Sequence, residues 1–423
     1  MLDVNKQYKE MTVHDAADYL DVSADTIRRW AKKGLIRASR NENNHRVFST
    51  EELIRVKNKY KNTKLEGNYK IHQAKKNKYK IIELFSGAGG LALGLENAGF
   101  NSKLLVEIDK DSVNTLRQNR PKWNVINDDI ANVSFKKYKD KIDVVAGGFP
   151  CQAFSYAGKS LGFEDARGTL FYEFARCIKE VRPKIALGEN VRGLLKHDGG
   201  RTLSSMIKIL NDLGYRVKYK YLRSQFMDVP QKRERLFIIG IRDDLKIDHL
   251  FPIEKDYTVS MRDALHKCPQ AEGYIYNDRK KKIMEMVPEG GCWRDLPIKF
   301  QKEYMMKSFY LGGGKTGMAR RLSWNEPSLT LTCNPAQKQT ERCHPSETRP
   351  LNTREYARIQ TFPDNWEFIG SKSSQYKQIG NAVPVNLGYY MGRALYTMLS
   401  GRKDDYVVCK KLMDENVMQT SLF

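Results

Sequence analysis

The chain has 423 residues, 40% of them hydrophobic and 29% charged, which describes a globular protein of two or three domains. Lys and Arg exceed Asp and Glu by 73 − 50 = +23, an excess that favours a polyanionic partner, nucleic acid above all. Seven cysteines with no Cys-x-x-Cys exclude a disulfide framework and a zinc finger. No apolar run reaches the roughly 18 residues of a membrane span, and the N-terminus does not read as a secretion signal, so an intracellular, cytoplasmic setting is expected.

From Met11 the text "MTVHDAADYLDVSADTIRRWAKKGLI" predicts two short helices across a tight turn. Thr12 caps the first, which carries Ala16, Ala17 and Leu20; Ser23 caps the second, with Ile27 and Trp30 inward, and Gly34 stops it. Thr26, Arg28, Arg29, Lys32 and Lys33 then face outward, suited to phosphates and the major groove. "RASRNENNHRVFS" reads as a two-stranded wing carrying Arg46, and a capped helix follows. Residues 1–60 resemble the winged helix-turn-helix of MerR-type regulators. Residues 61–78, rich in Lys and Asn, read as a flexible basic linker. Residues 1–80 hold 19 Lys and Arg against 10 Asp and Glu, so much of the positive charge sits in this arm.

Residues 79–240 alternate strand and helix patterns, which predicts an α/β fold with a doubly wound, mostly parallel sheet. "YKIIEL" is a strand that runs into Phe85-Ser86-Gly87-Ala88-Gly89-Gly90 and a helix, so backbone can approach a ligand there. The strand "KLLVEI" ends at Glu107, roughly 20 residues after the glycines, where a carboxylate can hold ribose hydroxyls. Asp128-Asp129-Ile130 offers an acid for an exocyclic amine beside an apolar cover. The apolar run Ile142 to Ala146 then ends in Gly147-Gly148-Phe149-Pro150-Cys151-Gln152, which puts Cys151 in a loop at a strand's carboxyl end, where open α/β sheets bind ligands. A buried, inert thiol is the alternative for Cys151 taken alone.

These segments, in this order, resemble the DNA cytosine-5 methyltransferases, which use S-adenosylmethionine. The resemblance continues through Glu189-Asn190-Val191, Gln231-x-Arg233-x-Arg235, "RPLNTREYARIQTFPDNW" and "QYKQIGNAVPVN", covering about residues 79–400. It implies that Phe85 lies on the adenine, that Ser86, Gly87 and Gly90 cradle the methionine end, and that Glu107, Ile108, Asp129 and Ile130 hold the nucleoside, with Pro150 and Asn381 beside the cofactor. It further implies that Cys151 attacks carbon 6 of cytosine, that Glu189 holds a proton on nitrogen 3, and that Arg235 touches oxygen 2. Arg233 is expected on a backbone phosphate. Gln152, Ser155 and Gln231 are expected near the DNA, the small, polar loop after Cys151 closing on an extruded base.

Residues 241–346 depart from the family pattern and are expected to form a target-recognition domain, with Arg320 and Arg321 offered to DNA. Residues 347–423 return to the catalytic domain. Gly312-Gly313-Gly314-Lys315-Thr316 lacks the spacing of a phosphate loop, and Cys333, Cys343 and His344 supply too few ligands for zinc, so no metal is expected. The resulting expectation is a double-stranded DNA methyltransferase, the modification half of a restriction system with an endonuclease encoded nearby. A transfer-RNA methyltransferase and a DNA-binding transcription regulator are the alternatives.

Overall fold

The computed structural model describes residues 10–20, 22, 24–32, 34–62, 69–150 and 169–411. Cys151, Gln152 and Ser155 lie outside the described residues, as do Ser23, Lys33 and the side chain of Arg29.

The N-terminal body is built on short helices, Val13–Leu20 and Ala24–Lys32, followed by the longer Thr50–Asn62. Thr12 and Asp15 cap the first reciprocally: Asp15 accepts from the backbone and hydroxyl of Thr12, and Thr12 Oγ1 accepts from the Asp15 backbone. The expected wing, Ser39–Arg40 with Arg46–Phe48, gains a third strand, because Met11–Thr12 pairs antiparallel with Val47 and Phe48. Ala16, Ala17, Ile27, Ile36, Phe48 and Leu53 form its core.

The catalytic body is organised by a seven-stranded sheet, here labelled in chain order: β1 (Lys80–Leu84), β2 (Asn101–Glu107), β3 (Val125–Asn127), β4 (Val144–Gly147), β5 (Ile185–Val191), β6 (Tyr215–Arg223) and β7 (Glu234–Arg242). The spatial order is β3-β2-β1-β4-β5-β7-β6; β1 to β5 run parallel, and β7 lies antiparallel between β5 and β6. The order reverses between β1 and β4, which opens a crevice at the carboxyl ends of those strands. Successive side chains alternate faces. Ile82, Leu84, Val106 and Val145 face the helices Leu170–Val181 and Arg201–Asp212, whereas Ile81, Val144, Ala146 and Leu187 face the other side.

That second face is covered by α1 (Gly90–Asn97) and by α2 (Val385–Ser400), which is far away in sequence. The two helices approach until backbones touch: a Cβ on Gly94 would stand 2.5 Å from the Val385 carbonyl and 2.7 Å from Gly388 Cα. Any side chain at Gly94 would force them apart.

The linker is not free along its whole length, as polar composition alone suggested. Residues 69–78 are strapped to the catalytic body: the Tyr69 hydroxyl donates to Arg358 O, Ala74 N to Asn97 O and Asn77 N to Gly99 O. His72 Nε2 lies 2.6 Å from Asp228 Oδ2. Asp228 also accepts from Lys255 Nζ and from the hydroxyls of Tyr257 and Tyr390. Tyr69 and Ile71 supply the apolar contacts that the Lys and Asn content concealed.

The recognition region has its own core, made of Tyr276, Ile283, Met284, Trp293, Tyr304 and Met305. Parts of the stretch expected there pack elsewhere: Leu250–Pro252 pairs with Cys409–Lys411, and Met261 and Leu265 join Tyr356 and Trp366 of the C-terminal return. Among the described residues, no helix is long and apolar enough to cross a membrane and no group of side chains could hold a metal ion.

Candidate active site

Where β1 ends, the chain turns sharply. Phe85 takes a left-handed conformation (φ 57°), and the glycines after it lead into α1. Glu107, at the end of the neighbouring β2, stabilises this turn with both oxygens: Oε2 accepts from Gly87 N at 2.7 Å and Oε1 from Asp109 N at 2.9 Å. A Cβ on Gly87 would meet nothing within 4 Å, so this loop faces open space.

Gly90, expected in the same cradle, faces protein instead. A Cβ there would stand 2.1 Å from the Val383 carbonyl, so this glycine is required by the C-terminal turn packed on α1. At the next edge, Asp129 caps a short turn through Ala131 N; Ile130 is buried among core residues, whereas Ile108 is 66% exposed. Ile108 is therefore the apolar surface left available beside Glu107.

Glu83 did not stand out in the sequence. It sits within β1, 2% exposed, and its Oε2 has no hydrogen-bond partner among the described residues. Burial pushes its carboxyl well above the usual range against a hydrogen bond from the Ala92 backbone, and the charge of Glu107 adds to the rise. A charged residue inside the apolar run "KIIELF" was the available signal.

One strand further on, β4 delivers the turn that contains Pro150. Phe149 anchors it, packing on Phe171 and Phe174 with ring centroids 5.1 and 5.3 Å away. Asn190 Nδ2 donates to Phe149 O at 3.0 Å, so β5 holds the turn from below. Glu189, the preceding residue on β5, is buried, and a Cβ on Gly148 would stand 3.1 Å from its Oε2. Its carboxyl thus lies against the chain three residues before Cys151.

β7 lies beside β5 with Arg235 opposite Val191, which brings Arg235 Nε to 2.8 Å from Glu189 Oε1. Burial raises the Glu189 carboxyl against the opposing pull of Arg235 and Arg233, and the same burial lowers Arg235. The same burial thus disfavours the charged form of both partners.

Several expected DNA contacts are interior. Gln231 is fully buried: its Nε2 donates to Gln360 Oε1 and its Oε1 accepts from Leu331 N. Arg321 is buried too, and donates to the carbonyls of Met284, Val287, His344 and Glu347. It organises the recognition region rather than facing outward. Arg233 is 1% exposed, and donates to two carbonyls of the protein, Leu331 O (3.2 Å) and Gly380 O (3.0 Å). Residue type alone cannot separate a buried arginine bound to carbonyls from an exposed one. Arg320 is half-buried, Arg28 is exposed, and Arg46 is half-buried on its wing strand. Asn381 Oδ1 accepts from the exposed thiol of Cys333 at 3.1 Å.

The family model for C-5 cytosine-specific DNA methylases matches residues 79–397, and that for a helix-turn-helix domain matches residues 10–60. The chain is 55% identical over 415 residues to the Type II methyltransferase M.Eco47II of Escherichia coli, covering 94% of this chain and 97% of the relative. It is 55% identical over 402 residues to M.PspPI of Psychrobacter sp. (strain TA137), covering 92% and 96%. The crystal structure of the S. pombe Dnmt2 methyltransferase matches with a TM-score of 0.55 at 17% identity, over 76% of this chain and all of that one, which supports the α/β fold. The chain belongs to the C-5 cytosine-specific DNA methylase family: it is a DNA cytosine-5 methyltransferase with a helix-turn-helix domain at its N-terminal end.

Proposed function

We propose that this enzyme methylates cytosine in a specific duplex sequence as the modification half of a bacterial restriction system, with a cognate endonuclease as its partner in the cytoplasm. Full-length identity to Type II methyltransferases supports that setting. S-adenosylmethionine, when bound, supplies an electrophilic methyl group. The crevice above β1 and β2 fits it: open space before Gly87, the Glu107 carboxylate and the exposed face of Ile108. Phe85, Ser86, Asp129, Ile130, Pro150 and Asn381 complete the set assigned to it.

The observation that carries the mechanism is a buried glutamic acid, raised by its surroundings, directly beneath the turn that leads to Cys151. Carbon 5 of cytosine is a weak nucleophile, so the base is extruded from the stack and the Cys151 thiolate adds to carbon 6. Glu189 gives its proton to nitrogen 3 as electrons move onto the ring, and Arg235 stabilises oxygen 2. Carbon 5 then accepts the methyl group. Nitrogen 3 returns its proton to Glu189, loss of the carbon 5 proton to a base restores the double bond, and the thiolate leaves. Gln152 and Ser155 belong to the loop that closes over the extruded base.

The helix-turn-helix domain, with Arg28, Arg29 and Arg46, binds a separate operator-like site and represses transcription. Removing residues 1–60 should then relieve repression of a reporter while leaving the methylated sequence unchanged; unaltered expression and footprint would remove this role. For the enzyme, duplexes bearing 5-fluorocytosine should trap the chain covalently in the presence of methyl donor, and Cys151→Ser should abolish trapping and methyl transfer while binding of the donor survives. Full activity in that variant excludes Cys151.

A further inference from the structure

Three segments remote in sequence meet at Arg233. It is a buried cation without a carboxylate in hydrogen-bond contact among the described residues, and its Nε has no partner there. Burial lowers it well below the usual arginine range, and neighbouring Arg235 works in the same direction. Its guanidinium spans a seam instead: one arm reaches Leu331 O in the recognition segment, and the other reaches Gly380 O with a longer contact of 3.4 Å to Asn381 O.

The seam is closed on its outer side by a second contact between the same segments, the Cys333 thiol on Asn381 Oδ1. Close approach tightens it, since a Cβ on Gly380 would stand 2.5 Å from Thr332 O. Past Asn381 the chain packs at once on the glycine loop, where Ala382 and Val383 cover Gly90. A continuous run of contacts therefore joins recognition residues 331–333, the 380–383 turn and the loop before α1. Arg235 and Glu189 lie beside it on β7 and β5.

We infer that Arg233 and Cys333 form a clasp that fastens the recognition segment to the 380–381 turn, so that seating of DNA and seating of the methyl donor reinforce each other. This rests on the assignment of the glycine loop to the donor. Arg233 is then a positioning residue. Its two amino groups are needed because they bridge two carbonyls on different segments, which a lysine's single ammonium does less well. Spatial continuity alone does not establish energetic coupling, so the test measures coupling itself.

A duplex carrying the site found by base-resolution mapping of the enzyme's own methylation serves as one ligand and S-adenosylhomocysteine as the other. In the parent each should tighten the other by the same factor, on the order of 5-fold to 150-fold. Arg233→Lys should reduce that factor to within about 2-fold of unity, the slope of log affinity against log salt staying unchanged. Cys333→Val should reduce it several-fold, and Cys333→Ser, which keeps a donor, should restore it. If Arg233→Lys does not fold, as thermal unfolding would reveal, the Cys333 pair carries the test. Unchanged coupling in Arg233→Lys and Cys333→Val overturns the clasp, and a salt slope shallower by about 1 makes Arg233 a phosphate contact after all. A parent that binds no S-adenosylhomocysteine contradicts the donor assignment itself, a separate result.

Discussion

Two buried carboxylates, Glu189 at the end of β5 and Asp228 in the turn before β7, face opposite electrostatic outcomes. Asp228 receives hydrogen bonds from Lys255, Tyr257 and Tyr390 and lies against His72, and these partners hold it well below the usual carboxylate range despite burial. Glu189 has Arg235 close by, yet its Oε1 has no aligned hydrogen bond among the described residues, and burial prevails. A carboxylate whose lone pairs are all filled fastens chain to chain, whereas one left short of donors is available for chemistry. The contrast separates a structural anchor from the carboxyl proposed to react within one fold.

The largest effect that would break this contrast is on rate. Glu189→Gln should lower kcat by about 10²-fold to 10⁴-fold, the range for loss of a general acid, with thermal stability preserved or raised. Single-turnover methylation together with thermal unfolding measures both, and loss of stability with normal turnover would reverse the assignment. Next comes Asp228→Ala, which strands Lys255 in a half-buried site and should cost about 3–5 kcal/mol in denaturant unfolding, residual folded enzyme keeping its kcat.

The pH dependence sharpens the same comparison with opposite signs. Glu189 is raised in the folded chain, so its ionisation costs stability as pH climbs above about 4, the unfolded value. Glu189→Gln should therefore gain stability over the parent between acid and neutral pH. Asp228 is lowered, so its contribution is present above about pH 4 and fades on acidification below it; the gap between the parent and Asp228→Ala should narrow there. Parallel melting curves at several pH values would test both signs. The smallest effect is expected from His72→Ala, which removes one of several partners of Asp228 and should cost about 1 kcal/mol. Faster amide exchange confined to residues 69–78 would be its signature, and global destabilisation would count against the strap.

Much of the sheet, and of the strand ends that carry the candidate site residues, was legible in the sequence because both are written in short, local patterns. Apolar runs ending in Glu107, Gly147 and Glu189 mark strands, and a motif keeps its spacing whatever surrounds it. What stayed hidden depends on contacts between distant segments. Nothing near Gly90 announces Val383, nothing near Gln231 announces Gln360 and Leu331, and an arginine such as Arg321 reads alike on the surface or among carbonyls. The strap was masked for a related reason, since its few apolar anchors, Tyr69 and Ile71, are diluted by lysine and asparagine.

The close approach of Gly94 to Gly388 also bears on how the protein is born. During synthesis the helix-turn-helix can mature once its first sixty or so residues emerge, but the sheet lacks the cover on one side until α2 has left the ribosome, more than three hundred residues later. A nascent or prematurely terminated chain would therefore carry the DNA-binding head without a finished catalyst.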